Sequence, residues 1–428
     1  MRIAYLCADF GIPIHGTKGA AIHVRELCRA LAGLGHDVRI YAPRTGGPPP
    51  PDFTIPAREL PIDDDDRRLV DHLGADPDAG LTVAAAVRSM LYASGFGRRL
   101  AAELAGWQPD AIYERYALFG TAGLALARVL GVPLLLEVNA PLADEQRTFR
   151  GLAFAATARA VERDLLRGAD HVLAVSGELG RWAVQQGADP AGVAVMPNAV
   201  DPDRFAVDDR LRADVRRGLG VAGRPVVGFV GSLKPWHDVA ALVRAVGTLH
   251  RHGVAAHLVI VGDGPERGAI EALIQSHGLG ADVTLAGAVP HAEVPAWLAA
   301  MDVAVAPYAP ADDFYFSPLK LYEYLAAGRP VVAADVPPIA SEIQPGRTGL
   351  LYPPGDEQAL ADAIAASIAD PARAVSLGEA GRAWVRENRT WARNAGRVVA
   401  LAGAGRAMPV DRQADRRHRP PQTRGEQT

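Results

Sequence analysis

Cysteine is nearly absent from the 428 residues. Only Cys7 and Cys28 occur, too few for a disulfide framework or a thiolate metal site, and their apolar neighbours mark them as buried thiols of a reducing compartment. Charge of one sign is lacking too. The 45 Lys and Arg against 49 Asp and Glu leave a net charge of −4, which excludes a general nucleic-acid partner. No uncharged run reaches the ~20 residues of a membrane span, because Arg128 breaks the stretch 119–138 and Asp302 breaks 294–310. The opening Met1-Arg2-Ile3-Ala4-Tyr5-Leu6 carries one charge and a run of strand length, shorter than a signal peptide requires. A soluble, cytoplasmic protein is expected. Paired histidines are missing as well: His15, His23, His36, His237 and His291 share no helix face, so no metal is expected.

What is present is ordinary globular material, 49% hydrophobic and 22% charged, enough for two large domains. Short β-branched runs alternate with longer Ala/Leu/Arg-rich segments of helical period, the pattern of βα units feeding parallel sheets. Strands are expected at 2–8, 37–43, 110–116, 133–139, 171–176 and 193–198, with helices at 19–35, 80–105, 119–131, 144–168 and 177–187. A charged stretch from Asp201 to about residue 223 reads as a linker. Strands then resume at 225–231, 257–262, 283–287, 303–308 and 330–334. Runs this apolar are buried on both faces, as in a doubly wound sheet, and two such sheets in tandem enclose a cleft. Residues 44–68 read as a surface loop with at most one short strand, Asp63 to Asp66 as its solvated acidic tip, and the polar, basic end from about 406 as a disordered tail.

Ligands of open α/β sheets bind beyond the carboxyl ends of the strands. Gly16 and Gly19, after the first strand and before a helix starting at Ala20, let backbone amides approach an anion. Val261-Gly262-Asp263-Gly264-Pro265-Glu266 lacks the third glycine of a dinucleotide fingerprint and reads as a turn, with Pro265 opening the next helix. The densest constellation is 312–335. Ser317 is placed to cap a helix and Pro318 to open it, so the free N–H groups of Ser317, Leu319 and Lys320 can hold a diphosphate. Glu323 lies one and a half turns along, in reach of a ribose hydroxyl pair; a plain surface salt bridge is the alternative reading.

Over about residues 1 to 403 the chain resembles the retaining nucleotide-sugar glycosyltransferases of glycosyltransferase family 4. The matching pieces are Gly16 to Gly19, ADHVLAVSGEL at 169–179, VMPNAVDPDRF at 195–205, VGFVGSLKPWHDV at 227–239, VGDGPER at 261–267 and SPLKLYEYLAAGRPVVA at 317–333. The resemblance implies the GT-B fold, two Rossmann-like doubly wound parallel-sheet domains facing a central cleft. It implies an acceptor-binding domain over 1–205, a nucleotide-sugar-binding domain over 206–388, and a helix over 389–404 that crosses back to the first domain. Residues 405–428 form a basic tail whose Arg412, Arg416, Arg417, His418, Arg419 and Arg424 are expected to be solvated, with peripheral contact with an anionic membrane as the alternative.

By position, the second glutamate of the family signature falls on Glu323, implying a ribose contact, while the first falls on Tyr315, a departure for which Asp312, Asp313 or backbone near Phe316 can substitute. The usual basic pair for the diphosphate falls on Ser232 and His237, leaving Lys234 as the substitute cation and His237 as a second donor. A histidine common in the first domain is replaced by Asn139, which donates a hydrogen bond but shuttles no proton, so the donor phosphate is left to accept the acceptor's proton. The resemblance thus implies transfer of a sugar from a nucleoside diphosphate to a glycan, lipid-linked or small-molecule acceptor, with Lys234, Asn139 and Asp312 in catalytic positions and neither metal nor cofactor. A sugar-nucleotide epimerase and a catalytically silent binding subunit share the fold and stay open at this point.

Overall fold

The computed structural model describes residues 1–206, 209–221, 223–310 and 314–404. Asp312, Asp313 and the basic tail lie outside the described residues.

The apolar runs pair into two parallel sheets. The first holds β1 (Arg2–Cys7), β2 (Asp37–Ala42), β3 (Ala57–Glu59), β4 (Ala111–Arg115), β5 (Leu134–Val138), β6 (His171–Ala174) and β7 (Val193–Val195), in the order β3-β2-β1-β4-β5-β6-β7. The second holds β8 (Val226–Val230), β9 (His257–Val261), β10 (Val283–Gly287), β11 (Val303–Ala306), β12 (Val331–Ala334) and β13 (Leu350–Tyr352), in the order β10-β9-β8-β11-β12-β13. Both are doubly wound and Rossmann-like, as the resemblance implied. In each, the strand order reverses once, at β1/β4 and at β8/β11, and helices bury both faces. No helix among the described residues is long and apolar enough to cross a membrane.

Six helices matter for the site: α1 (Gly19–Gly33), α2 (Asp64–Ala75), α3 (Leu142–Phe149), α4 (Asp209–Gly218), α5 (Leu319–Ala326) and α6 (Trp391–Gly403). Two of them revise the sequence reading. The acidic run is no solvated loop: Asp63 precedes α2 and Asp64 to Asp66 fill its first turn, where carboxylates offset the helix dipole. The stretch expected as a linker holds α4, whose Arg212 and Arg216 both bind Asp302 just ahead of β11. That helix belongs to the second sheet's unit. α6 leaves the second unit through a Val200–Thr390 bridge and packs along α1, with the Trp391 ring 4.9 Å from His23.

Both cysteines are buried, and burial pushes the Cys7 thiol up to about 12, so neither offers a thiolate at neutral pH. Alternation along β4 turns Tyr113 and Arg115 to one face and Glu114 to the other. Glu114 is buried, and a Cβ at Gly123 would strike its carboxylate, which is why that position holds glycine. Burial, offset only by the Gly123 amide, raises its pKa from 4.5 to about 7. A carboxyl raised on folding contributes most below its unfolded pKa and costs stability as pH rises through the folded value, here about 3 kcal/mol in all. Glu114→Gln is therefore expected to flatten the decline of Tm between pH 5 and 8. Parallel Tm–pH curves for the two proteins would contradict this.

Candidate active site

The crevice of the second sheet opens at its reversal point, above the carboxyl ends of β8 and β11. Gly231 follows β8 with φ 153°, and Gly262 follows β9 with φ 138°. A Cβ on Gly262 would collide with the Gly231 carbonyl, and one on Gly264 with the backbone of Leu233. The glycines of VGDGPER thus allow two strand-end loops to touch. The helix after them begins at Arg267, two residues beyond Pro265.

β11 leads through residues 307–318 to α5. Here the cap reading is corrected. Pro318, not Ser317, takes the cap position, and no side chain caps the helix. The Ser317 hydroxyl instead accepts the backbone N–H of Asn198 at 2.9 Å, and its carbonyl accepts the Asn198 side-chain amide at 2.8 Å. Ser317 is a clasp between the two units. Leu319 and Lys320 open the helix, in the turn whose amides have no partner within it.

Glu323 is the fifth residue of α5 and 5% exposed. Its Oε1 lies 2.8 Å from Nε2 of His291, whose ring meets Phe205 edge-on at 5.8 Å. The carboxylate lines a recess bounded by Leu319, His291 and Phe205 on one side and by Ile22, Glu26 and Trp391 on the other. It therefore faces the gap between the units and is no surface salt bridge.

The cations expected at the diphosphate are disposed unequally. Lys234 holds its ammonium 5.7 Å from the ring centre of Trp236, an exposed side chain. Ser232 is exposed, and its carbonyl accepts from His237 Nδ1 at 2.5 Å. With Nδ1 carrying the proton, the neutral ring keeps only an acceptor at Nε2. Burial first, then the positive charge of Lys320, lowers the His237 pKa to about 3. His237 is thus locked into the turn as a neutral ring, which revises its reading as a donor to phosphate. Lys320 turns its ammonium inward, 4.5 Å from the ring centre of Phe229 and 5.2 Å from that of Tyr308.

In the first unit, the N–H of Gly16 closes a turn onto the Pro13 carbonyl at 2.9 Å, so this amide is already committed and the expected anion contact from Gly16 is revised. Gly19 opens α1, and a side chain there would meet nothing within 4 Å. Asn139 gives its amide to Glu137. That carboxylate, 1% exposed at the end of β5, is the hub of a buried network. Arg115 pairs with it, Tyr113 donates at 2.7 Å, and His23 of α1 meets it at 2.8 Å. The other nitrogen of His23 lies 2.6 Å from Asn198 Oδ1. A continuous hydrogen-bonded path thus runs from Glu137 through His23 and Asn198 to Ser317, at the head of α5.

Tyr315 reaches across the gap, its hydroxyl donating to Glu145 of α3 at 2.9 Å. A carboxylate of the first unit thereby stands beside the position where the first signature glutamate falls. His291, Glu145, His23 and Asn198 were given no role by the sequence reading. For Asn198 a signal existed, since it lies within VMPNAVDPDRF, but its partner is 119 residues away. Among the described residues no three His, Cys, Asp or Glu side chains gather to hold a metal ion.

Residues 17–204 match the family described as Glycosyltransferase Family 4, and residues 224–370 match Glycosyl transferases group 1. The chain is 32% identical over 279 residues to the 2-deoxystreptamine glucosyltransferase of Streptomyces kanamyceticus, covering 62% of this chain and 69% of that one. It is also 32% identical over 244 residues to the GDP-mannose-dependent alpha-(1-6)-phosphatidylinositol monomannoside mannosyltransferase of Mycobacterium tuberculosis, covering 56% of this chain and 63% of the mannosyltransferase's length. Among solved structures, Anabaena HepE in complex with UDP and glucose superposes with a TM-score of 0.71 at 19% identity, over 94% of this chain and 100% of that one.

Proposed function

The chain belongs to Glycosyltransferase Family 4, and on that premise we propose that it transfers a hexose, with retention, from a nucleoside-diphosphate sugar to an acceptor hydroxyl. The observation that carries the reading is Glu323: a buried carboxylate, aimed by His291, facing a recess walled by both units. Such a group suits the two hydroxyls of a ribose. The amino end of α5 lies next to it, where amides and the helix dipole favour the diphosphate. The names of the relatives support the donor class, since one uses GDP-mannose and the Anabaena protein was captured with UDP. They also support an acceptor that is a small-molecule, glycan or lipid-linked alcohol.

Negative charge grows on the diphosphate as the glycosidic bond breaks. The opening turns of α5 and α1 and the Lys234 ammonium stabilise it electrostatically, without a metal. The donor phosphate takes the acceptor's proton, because Asn139 carries none to exchange. Glu145, held by Tyr315, supplies a carboxylate at the donor sugar from the opposite unit. Closure of the gap gates turnover.

The test is a thermal-shift screen of UDP, GDP and their hexose conjugates, followed by sugar release and transfer with and without EDTA. A bound donor at a hundred times its Kd stabilises by about 2.7 kcal/mol, and transfer is expected to persist in EDTA. No shift and no release with any donor would refute the transferase reading. Loss in EDTA restored by Mg²⁺ would refute metal independence, and an epimerised nucleotide sugar from donor alone would favour the epimerase.

A further inference from the structure

At the reversal point of the second sheet the fold holds an amine that no hydrogen-bonding side chain answers. Lys320, the second residue of α5, runs its stem back beneath the end of β8. Its Nζ sits between the rings of Phe229 and Tyr308, under Gly231, where a Cβ would come within 2.8 Å of it. The nitrogen is sealed from solvent and has no hydrogen-bond partner among the described residues. Aromatic faces return part of the cost of stripping an ammonium of water, but not its hydrogen bonds.

The groups around it do not discharge it. Glu323, further along the same helix, spends its Oε1 on His291. His237, from the turn after β8, is a neutral ring. Tyr308, beyond β11, is buried and keeps its proton, because burial raises its pKa. The two positions at which the resemblance implied a basic pair carry Ser232 and this neutral His237, which leaves Lys234 between them to offer an ammonium from that turn.

We propose that Lys320 is the cation that receives the donor's diphosphate, its ammonium bonding phosphate oxygens at the end of β8 and taking up a proton as the nucleotide binds. This rests on the transferase reading above. Rotation at the end of the flexible stem carries Nζ from beneath Gly231 to the crevice floor. Burial lowers the Lys320 pKa from 10.5 to about 7, with Glu323 pulling weakly the other way, so the amine is mostly neutral at pH 8. A phosphate dianion restores the charge. The Lys320 charge then enters the crevice only together with the donor, adding to that of Lys234, and it remains to stabilise the leaving diphosphate as the sugar departs.

Calorimetric titration of the full chain with GDP and with UDP at pH 8, in buffers of different ionisation enthalpy, counts the protons. The wild type is expected to take up nearly one proton per nucleotide bound. Lys320→Met should take up none and bind at least tenfold more weakly, while its Tm holds or rises because a buried, unpartnered amine has gone. Lys320→Arg, permanently charged, should bind the diphosphate without proton uptake and serves if the methionine variant fails to fold. Equal affinity and equal uptake in Lys320→Met, or uptake that persists in Lys320→Arg, would overturn the assignment. If the wild type binds neither nucleotide, the transferase reading fails first and Lys320 falls with it.

Discussion

Glu137→Gln is expected to lose about 3–5 kcal/mol of folding stability at neutral pH, the cost of removing one partner from a buried ion pair. The carboxylate is 1% exposed and serves Arg115, His23, Tyr113 and Asn139 together. Glutamine keeps the shape and removes the charge, stranding the Arg115 guanidinium in the core. Burial alone would push the Glu137 carboxyl up, but His23 and Arg115 outweigh it and hold the group well below the usual carboxylate range. A carboxyl depressed on folding stabilises above its unfolded pKa, and that contribution is lost as pH falls towards the folded value. The gap between wild type and Glu137→Gln should therefore be full at pH 7 and narrow below the unfolded value of 4.5. Denaturant unfolding at pH 7 and pH 4 checks both points; a loss under about 1 kcal/mol would show the network to be worth no more than an exposed ion pair. Because the path from Glu137 ends on Ser317, nucleotide affinity should fall with stability.

Alanine at Glu323 should weaken nucleoside-diphosphate binding by roughly ten- to a hundredfold, the equivalent of one charge-assisted hydrogen bond of about 1.5–3 kcal/mol. The carboxylate bonds His291 and takes no part in the Asn198–Ser317 bonds, so its removal should leave that interdomain clasp in place. His291→Ala should produce a smaller loss, since it frees the carboxylate's aim and leaves its charge. Isothermal titration of both variants with GDP and UDP decides. Undiminished affinity in Glu323→Ala would remove it from the nucleotide site.

The strands were legible where apolar β-branched residues run for four or more positions, which covers both strand-order reversals. The exceptions have local causes. β13 is three residues long, Leu350 to Tyr352, and too short to show alternation. α2 has no buried residue, so it presents no apolar stripe by which a helix is recognised, and its aspartates suggested a loop. α4 is likewise without a buried residue and is tied down by Arg212 and Arg216. The site divides the same way. Glu323 was placed by its spacing within one helix, a local property. A serine before a proline suits an N-cap, yet the Ser317 hydroxyl goes to Asn198 instead.

By itself the chain's order of residues determined two parallel sheets, the helix that carries Glu323 and Lys320, and the family, since each depends on periodicity or on contiguous motifs. Tertiary structure alone decided which polar groups those elements share. Glu137 became a hub because Arg115 and His23 arrive from separate elements, His237 became neutral because its turn is buried beside Lys320, and Glu145 reached Tyr315 only because the two units face each other. Charge state and hydrogen-bond partnership depend on desolvation and on neighbours distant in sequence, and those exist only once the chain has folded.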